Sequence, residues 1–379
     1  MSKASFFFAG GGTGGHIYPA LAVAEQIAQQ QPDARIHFLC STRAVDKRIL
    51  DQTPFGYTPL PAAGLYSDPR RFLRFCVTFW QSYKQAKRLL AESTNPVVVG
   101  AGGFVAAPVC LAGHKLGAPV ALVNVDIVPG RANTLSARWA DEIFVQFEEA
   151  GRAFGSRRAK INVVGCPLRS GFAKMDKSRA VQDLGLDPNK RILLVTGASS
   201  GAASINEAVC ALLTKLKEYT EAWQIVHLTG LDNHEKVEFQ YQGAAIARKV
   251  LSYYDNMPDL LAAADLVIGR SGAVSVAEYA VAGVPTICMP YPHHKDRHQY
   301  RNAAKLVEVG AAIIVDDLPD PAERADWLWE ELEKLLKDDT TRQEMAAATN
   351  LVARPQAAPD IATRLLSLAE GTSPDAATS

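Results

Sequence analysis

A glycine-rich loop that ends in a histidine is the strongest chemical signal in the sequence. Residues 10–16 read Gly-Gly-Gly-Thr-Gly-Gly-His, directly after a short apolar run and at the start of a helical pattern. Glycines let the backbone approach a ligand closely, and the free N–H groups at a helix N-terminus attract an anion. The loop therefore predicts a site for an anion or a developing negative charge. Its spacing is neither the dinucleotide fingerprint nor a P-loop, which disfavours redox and ATPase functions.

Two further glycine clusters occupy the same kind of position. Residues 100–104 (Gly-Ala-Gly-Gly-Phe) and residues 196–202 (Thr-Gly-Ala-Ser-Ser-Gly-Ala) each follow a predicted strand and precede a predicted helix. A single cluster of this kind is often only a tight turn. Three at equivalent strand-to-helix junctions indicate ligand binding, because the carboxyl ends of parallel strands line the ligand crevice of an α/β sheet.

A fourth motif combines polar and acidic residues. Residues 270–278 (Arg-Ser-Gly-Ala-Val-Ser-Val-Ala-Glu) place Glu278 in the first turns of a helix, where its carboxylate can accept from two vicinal ribose hydroxyls. The backbone N–H groups nearby can hold a diphosphate. The alternative interpretation is a helix-capping serine with a glutamate that the helix dipole favours.

Short apolar runs alternate with longer amphipathic segments, an order typical of parallel α/β sheets. In the first half, the predicted strands are Ser5–Phe8, Arg35–Leu39, Pro96–Val99, Pro119–Val123 and Glu142–Val145. In the second half, they are Arg191–Thr196, Gln224–Leu228, Ala264–Ile268, Pro285–Met289 and Ala311–Val315. The length of 379 residues also favours two domains, since single cores stop growing near roughly 250–300 residues. We place the boundary between Val163 and Phe172, where a further predicted strand ends in Gly165-Cys166-Pro167, with the linker around Ser170.

Composition excludes several functions. Forty basic residues balance forty acidic ones, so no global positive field exists to hold nucleic acid. The six cysteines have no C-x-x-C spacing, which argues against a zinc site and a disulfide framework and favours reduced thiols. No apolar stretch approaches about twenty residues, so any membrane contact must be peripheral.

Together these motifs resemble the MurG family, and the match covers nearly the whole chain. Residues 11–16, 102–104, 197–202 and 270–278 match the four characteristic segments of that family. Its members have the GT-B fold: α/β, with two facing Rossmann-like domains, parallel sheets and an interdomain cleft. They transfer N-acetylglucosamine from UDP-N-acetylglucosamine to the muramyl C4 hydroxyl of an undecaprenyl-linked muramyl pentapeptide.

The resemblance assigns roles to each part of the chain. It implies an acceptor-binding, membrane-facing domain at 1–167, a UDP-sugar-binding domain at 168–353, a helix at 354–371 that packs back on the first domain, and a disordered tail at 372–379. It implies donor contacts from Thr13, Gly14, Gly15, Arg169, Ser199, Ser200, Gly201, Ser271, Gly272, Ala273, Val274, Glu278, Gln299 and Asn302. It implies acceptor contacts from Gly12, Gly102, Gly103, Phe104, Asp126 and Asn133.

Within this resemblance, His16 is the implied catalytic base. A direct displacement needs a base within hydrogen-bond reach of the acceptor hydroxyl while UDP departs with negative charge. A lone histidine is more often structural, but this one ends a glycine loop. No Asp-x-Asp metal motif occurs in the donor segments, so we expect an inverting, metal-independent enzyme without a cofactor.

Two segments depart from the family pattern. The family commonly has His-Glu-Gln-Asn in the loop that faces the acceptor, whereas residues 123–126 here read Val-Asn-Val-Asp. The paired glutamines that follow Asp-Arg in the family are His298 and Gln299 here. The first change leaves the identity of the acceptor open. The second changes residues expected to contact the donor hexose and leaves the expected uridine contacts unaffected.

A basic and aromatic segment offers a route to the membrane. Between Pro69 and Leu90, six arginines and lysines are interleaved with phenylalanines, Leu73 and Trp80. This composition suits an interfacial helix, and equally a core helix with a solvated basic face. The resemblance favours peripheral attachment to the cytoplasmic face of the cell membrane.

Three other functions stay open. The chain could be a GT-B transferase with a different acceptor, as the changed residues 123–126 permit. It could be a UDP-sugar 2-epimerase of similar fold, although the Gly-His loop fits that family less well. A non-catalytic nucleotide-sugar-binding protein is the third, which the retained His16 disfavours.

Overall fold

A computed structural model describes residues 4–64, 68–155, 159–197 and 201–371. The chain forms two compact units. The first contains the residues up to Ser170 together with the chain from Pro355 onward, and the second runs from Gly171 to Arg354. Each unit is built around one parallel sheet, which confirms the predicted α/β class.

Within the described residues, the first unit has a seven-stranded parallel sheet. Its strands are β1 (Ser5–Ala9), β2 (Arg35–Cys40), β3 (Gly56–Pro59), β4 (Pro96–Gly100), β5 (Val120–Asn124), β6 (Glu142–Val145) and β7 (Lys160–Val163). They lie in the order β3-β2-β1-β4-β5-β6-β7. The helices of this unit are α1 (Gly14–Gln30), α2 (Ala44–Leu50), α3 (Pro69–Ala91), α4 (Ala106–Lys115), α5 (Arg131–Ser136) and α6 (Glu148–Phe154).

The second unit has a six-stranded parallel sheet among its described residues. Its strands are β8 (Arg191–Thr196), β9 (Trp223–Leu228), β10 (Ala247–Leu251), β11 (Leu266–Gly269), β12 (Thr286–Cys288) and β13 (Ala312–Ile314), in the order β10-β9-β8-β11-β12-β13. Its helices are α7 (Lys177–Asp183), α8 (Ala203–Ala211), α9 (Leu213–Leu216), α10 (His234–Gln240), α11 (Met257–Ala263), α12 (Ala273–Ala282), α13 (His298–Val307), α14 (Pro321–Lys337) and α15 (Asp339–Ala348). The chain then returns to the first unit as α16 (Ala357–Glu370).

Apolar strands explain why the sheets form where the sequence predicted them. Every residue of β1 and of β5 is buried, as expected for parallel strands that helices cover on both faces. Strands β3 and β10 were not predicted. Both lie at sheet edges, where half-exposed strands lack a continuous apolar run: β3 reads Gly-Tyr-Thr-Pro and β10 reads Ala-Arg-Lys-Val-Leu.

Helix α16 packs along α1, and an ion pair secures it to the sheet. Arg364 donates from Nε to Oε2 of Glu142 at 2.9 Å and from Nη2 to Oε1 at 3.3 Å. The Glu142 side chain is only 7% exposed, so this forked pair is largely shielded from water. The end of the chain therefore completes the first unit.

Each sheet has one position where the strand order reverses. In the first sheet the chain moves outward from β1 to β2 and β3 in one direction, and from β4 to β5, β6 and β7 in the other. In the second sheet the same reversal occurs between β8 and β11. Ligands of open α/β sheets bind at the carboxyl ends of the two strands beside such a reversal. The four glycine-rich segments all follow these four strands.

Candidate functional site

The backbone of the loop after β1 is hydrogen-bonded to a buried carboxylate, that of Asp46. Gly12 N–H donates to both carboxylate oxygens of Asp46, at 2.8 and 2.9 Å. Gly11 has φ +153° and Gly12 has φ +91°, and a side chain at Gly11 would overlap the carboxylate. Arg43 donates from Nη1 to the Gly12 carbonyl at 3.0 Å. At Gly11 the close approach that requires glycine is to the side chain of Asp46, and the predicted approach of a ligand to this loop stays a prediction.

His16 lies in the first turn of α1 and is half-buried. Its Nδ1 lies 3.1 Å from the Gly11 carbonyl oxygen and 3.4 Å from Thr13 Oγ1. A carbonyl oxygen only accepts, so Nδ1 must carry the proton in the shorter contact. In the neutral imidazole, Nε2 is then the basic nitrogen. Thr13 precedes the helix in an extended conformation and its side chain does not cap it, so the first N–H groups of α1 keep their donor capacity for an anion.

The loop after β4 contacts the loop after β1. A methyl group added at Gly102, where φ is +104°, would lie 2.9 Å from His16 Cδ2 and 3.1 Å from its Nε2. One added at Gly103, where φ is +77°, would lie 2.5 Å from the Gly11 carbonyl oxygen. Phe104 follows with about half of its side chain exposed, at 47%. The structure therefore brings Gly102 against His16 and Gly103 against Gly11, the neighbour of Gly12 in the chain, at the strand-order reversal between β1 and β4.

The segment after β5 is fixed internally. Asn124 donates from Nδ2 to the Asp126 carbonyl at 2.7 Å, and its Oδ1 accepts from Asn133 Nδ2 at 3.1 Å. Asn133 is buried, and its Oδ1 has no hydrogen-bond partner in the described part of the chain. The Asp126 side chain is half-buried. Asn133 therefore makes a structural hydrogen bond within the protein, and its acceptor-binding role stays a prediction. The sequence analysis assigned no role to Asn124.

Arg169 lies near the end of the first unit. Its guanidinium carbon is 4.5 Å from the centre of the Tyr18 ring, and the next residue, Ser170, donates its N–H to Glu25 Oε2 at 3.3 Å. Both partners belong to α1. Arg169 is therefore held against α1, the helix that contains His16 in its first turn.

The loop after β8 approaches the end of β9 closely. Gly201 has φ +72°, and a side chain there would overlap the Thr229 carbonyl; a side chain at Gly197 would overlap the backbone of Ala202. Ser199 and Ser200, both predicted donor contacts, lie outside the described residues. Gly201 marks the start of the chain that leads into α8.

A buried polar network supports this region. His227 is fully buried, with Nε2 3.0 Å from Asn206 Oδ1 and Nδ1 3.0 Å from the Tyr241 hydroxyl. Asn206 donates from Nδ2 to the Thr229 carbonyl at 2.9 Å, the group that Gly201 approaches. Burial lowers the pKa of His227 to about 3, so this histidine is neutral and structural.

The loop after β11 combines a buried ion pair with an unpaired hydroxyl. Arg270 pairs through Nη1 with Asp317 Oδ2 at 2.8 Å and donates from Nη2 to Ser204 Oγ at 2.9 Å. Ser271 is fully buried, and its Oγ has no hydrogen-bond partner among the residues that the structure describes. Arg270 therefore stabilises the loop rather than offering a free guanidinium, whereas the Ser271 hydroxyl is unsatisfied.

Helix α12 presents one half-exposed face. It begins after Gly272, which has an extended conformation, and it carries no acidic residue in its first turn. Ala273 is buried, while Val274 and Glu278, one turn apart, are half-exposed. Residues four apart share a helix face, so Val274 and Glu278 line the same surface. Glu278 thus lies a turn beyond the helix N-terminus, as predicted, where it can reach a ligand.

Helix α13 is tied to this loop. Asn302 is fully buried and donates from Nδ2 to the Ser271 carbonyl at 3.3 Å. Gln299 accepts the Tyr291 N–H at 2.9 Å through Oε1. His298 places Nδ1 2.7 Å from Asp296 Oδ1 and stacks on His294, with ring centres 4.3 Å apart. Desolvation opposes the shift, but the hydrogen bonds from His298 lower the pKa of Asp296.

The described residues contain neither a metal-binding cluster of side chains nor a membrane-spanning helix. No group of three or more His, Cys, Asp or Glu side chains there could hold a metal ion. No helix in those ranges is long and apolar enough to span a bilayer. The six cysteines are free thiols, and burial raises the pKa of Cys110 and Cys288 to about 12, so neither is a ready nucleophile.

Comparison with known proteins identifies the family. The sequence profile of the glycosyltransferase family 28 N-terminal domain matches residues 6–145, and that of the C-terminal domain matches residues 192–365. A curated relative from Halothermothrix orenii is 34% identical over 361 residues, which cover 92% of this chain and 95% of the relative. It is named UDP-N-acetylglucosamine–N-acetylmuramyl-(pentapeptide) pyrophosphoryl-undecaprenol N-acetylglucosamine transferase.

The chain belongs to the MurG family of glycosyltransferases. The crystal structure of Acinetobacter baumannii MurG matches it with a TM-score of 0.72 at 26% identity, covering 96% of this chain and 99% of that one. A UDP-N-acetylglucosamine 2-epimerase from Neisseria meningitidis also matches, with a TM-score of 0.69 over 96% of this chain and 99% of that one, but at 14% identity. At 14% identity, the likeness to the epimerase shows a shared fold and nothing about function. The MurG family assignment confirms the resemblance drawn from the glycine loops and makes the chain a hexosyltransferase.

Sequence reasoning missed the residues that support the MurG-family loops. Asp46 and Asp317 each join a glycine-rich segment to another part of the chain, and Asn206 joins α8 to the Thr229 carbonyl that Gly201 approaches. The spacing of these residues does not indicate such contacts, since an isolated Asp or Asn more often lies on the surface, in a turn or at a helix cap. An indirect signal existed for Asp46, because Gly11 must make room for some group.

Proposed function

We propose that this chain transfers N-acetylglucosamine from UDP-N-acetylglucosamine to the muramyl C4 hydroxyl of an undecaprenyl-linked muramyl pentapeptide, in peptidoglycan synthesis. The observation that carries the proposal is the similarity, along 92% of the chain, to a transferase named for this reaction. The position of His16 between the two central glycine loops supports it.

In this proposal His16 is the catalytic base. The acceptor C4 oxygen attacks the anomeric carbon of the donor sugar and its proton passes to Nε2 of His16. The bond between the anomeric carbon and the diphosphate oxygen breaks, and UDP leaves with the electron pair. Attack opposite the leaving group inverts the anomeric centre. The Nδ1 contact with Gly11 supports this role because it leaves Nε2 as the basic nitrogen.

The second unit is proposed to hold the donor. Glu278 accepts from the ribose hydroxyls, and the N-terminus of α12, with Ser271, Gly272, Ala273 and Val274, contacts the diphosphate and nucleoside. The fully buried, unpaired Ser271 hydroxyl supports this assignment, since buried polar atoms are normally satisfied. The backbone N–H groups at Thr13, Gly14 and Gly15 stabilise the departing charge, which needs no metal.

Donor contacts on α13 are proposed with a distinction between two residues. Gln299 is half-buried at the start of the helix and is proposed to contact the sugar. Asn302 is fully buried and bonds to the Ser271 carbonyl, so its contribution is to hold that loop against the donor. Arg169, Gly201 and the two serines at 199 and 200 complete the proposed donor contacts.

Membrane attachment is proposed through α3, on the cytoplasmic face. The first half of this helix exposes apolar side chains on adjoining turns: Phe72 by 50%, Leu73 by 65%, Val77 by 48% and Trp80 by 54%. The buried residues of α3, Ser82, Ala86 and Leu90, all lie in its second half. An exposed apolar patch flanked by Arg70, Arg71 and Arg74 favours an interfacial helix over a core helix.

The membrane proposal has a direct test. Flotation with vesicles that contain anionic lipid should carry the wild-type protein upward, and replacing Leu73 and Trp80 by serine should abolish that movement. A matched variant with Trp327→Ser, which changes an exposed tryptophan in the other unit, should float like the wild type. Equal flotation of both variants would refute the role of α3.

A transferase with another acceptor is the second candidate. The end of β5 and the segment after it favour this candidate. There the usual acceptor-facing sequence of the family is replaced, and Asn124 is hydrogen-bonded to Asn133. In this case Gly102, Gly103, Phe104 and Asp126 contact a different hydroxyl-bearing molecule. The proposed donor contacts are the same for both candidates.

One experiment separates these functions. UDP release from UDP-N-acetylglucosamine is measured with and without the lipid-linked muramyl pentapeptide, and the lipid product is identified by mass spectrometry. Release that depends on the acceptor, with a disaccharide product, supports the proposal. Donor binding without that product overturns the acceptor assignment, and acceptor-independent isomerisation of the sugar would indicate an epimerase.

A further inference from the structure

We propose that Asp46 is a positioning residue that orients His16 through the peptide group between Gly11 and Gly12. Its significance for catalysis rests on the proposed function of His16 as the base. The structural relationship itself can be measured in the resting protein, without donor or acceptor.

One planar peptide group joins the carboxylate to the imidazole. Its N–H, from Gly12, donates to Asp46 Oδ1 at 2.8 Å and to Oδ2 at 2.9 Å. Its C=O, from Gly11, lies 3.1 Å from His16 Nδ1. In a trans peptide the N–H and C=O point in opposite directions along one rigid plane. Asp46 therefore fixes the orientation of the acceptor to which His16 is bonded.

The carboxylate is itself held firmly. Asp46 is fully buried, and its Oδ2 accepts from Ser41 N–H at 2.9 Å and from Ser41 Oγ at 2.6 Å. A side chain at Gly11 would overlap Oδ2, so the absence of a side chain at that position makes room for the carboxylate. A buried carboxylate with these three donors cannot rotate away without losing all of them.

The charge of Asp46 also acts on the proton of His16. An anion bonded to a peptide N–H polarises the peptide and makes its carbonyl oxygen a stronger acceptor. The Gly11 carbonyl therefore favours the tautomer with the proton on Nδ1, and Nε2 remains the site that accepts a proton. The arrangement is a carboxylate–histidine pair with a peptide group inserted between the two side chains.

The test compares wild-type protein with Asp46→Asn. Nitrogen-15 NMR of His16, assigned with His16→Gln, reports which ring nitrogen carries the proton. The wild type should show the Nδ1–H tautomer, and Asp46→Asn a mixture of both tautomers. We expect kcat of the transfer reaction to fall roughly 10- to 100-fold, within the roughly 10²- to 10⁴-fold that a general base contributes, and donor affinity to stay unchanged.

Asp141→Asn is the matched control. Asp141 accepts Val120 N–H at 2.9 Å at the amino-terminal ends of β5 and β6, the end of the sheet opposite to the glycine loops, so it tests the loss of a backbone-bonded carboxylate far from His16. Its kcat and His16 spectrum should equal those of the wild type. Should Asp46→Asn fail to fold, Ser41→Ala removes only one donor to the carboxylate and should shift the tautomer ratio in the same direction.

Two results would overturn the proposal: an Nε2–H tautomer in the wild type, or a wild-type tautomer ratio and kcat in a folded Asp46 or Ser41 variant. Failure of the proposed function has a different signature. In that case the wild type forms no disaccharide product, yet the spectra still show the Nδ1–H tautomer and its dependence on Asp46, which supports the positioning role.

Discussion

The imidazole of His16 lies so close to the backbone of Gly102 that a side chain at that position would collide with the ring. A methyl group at Gly102 would lie 3.1 Å from Nε2 and 2.9 Å from Cδ2 of the ring. The two residues follow different strands, β1 and β4, which are neighbours in the sheet. The strand order thus places the proposed basic nitrogen against the second glycine loop.

Replacing Gly102 by alanine should impair turnover. The methyl group pushes against Nε2, and φ +104° strains any residue other than glycine, at a cost of about 1–3 kcal/mol. We expect a fall in kcat of roughly tenfold or more as the near-attack geometry is lost. Gly117→Ala is the control, because Gly117 has φ +74° but open space around it. Equal activity in both variants would contradict the contact argument.

His16→Ala should separate binding from chemistry. Removal of the base should lower kcat by roughly 10²- to 10⁴-fold. Calorimetry with UDP should give nearly the wild-type affinity, because the proposed nucleoside contacts belong to the second unit. Unchanged turnover would remove His16 from the mechanism.

Glu278→Ala should weaken donor binding. Hydrogen bonds to a charged group contribute about 1.5–3 kcal/mol, so we expect UDP affinity to fall roughly 10- to 100-fold. Glu235→Ala provides the comparison, since Glu235 is an exposed glutamate in the first turn of α10 in the same unit. An affinity for UDP that does not change in Glu278→Ala would refute the ribose role.

Asp317→Ala should destabilise the second unit. The side chains of Arg270 and Asp317 are 9% and 4% exposed, and removing one partner leaves the other charge buried. We expect a loss of about 3–5 kcal/mol in the free energy of unfolding, measured by denaturant titration. Asp183→Ala, which breaks the exposed pair with Arg179, should leave stability almost unchanged. Similar small losses of unfolding free energy in both variants would contradict a stabilising role for the buried pair.

Acidification should destabilise the protein through His227. Burial lowers its pKa to about 3 in the folded chain, whereas the unfolded chain takes up this proton near pH 6.5. The contribution of neutral His227 to the free energy of unfolding is therefore fully present above about pH 6.5. It is lost progressively as pH falls toward 3. From pH 6.5 to pH 5 the expected loss is about 2 kcal/mol. Comparing unfolding of wild type and His227→Gln over this range isolates the contribution; equal pH slopes would contradict it.

The central strands could be predicted because their sequences are continuously apolar. Strands β6 and β8 begin and end at the predicted residues, Glu142–Val145 and Arg191–Thr196. The edge strands β3 and β10 could not be predicted in this way. Each has a neighbouring strand on one side only, and its short sequence mixes polar and apolar residues. The glycine loops could be recognised in the sequence because only glycine readily allows the positive φ angles and the close backbone approaches found there.

The sequence by itself determined the α/β class, the family and the identity of the residues proposed to contact the donor and the acceptor, because glycines, apolar runs and motif spacing are local properties. Only the tertiary structure decided which residues support them. Asp46 bonds to Gly12, Asn302 to Ser271 and Arg270 to Asp317 across long separations along the chain. Such pairs have no local signature, because they depend on the order in which the strands lie in each sheet.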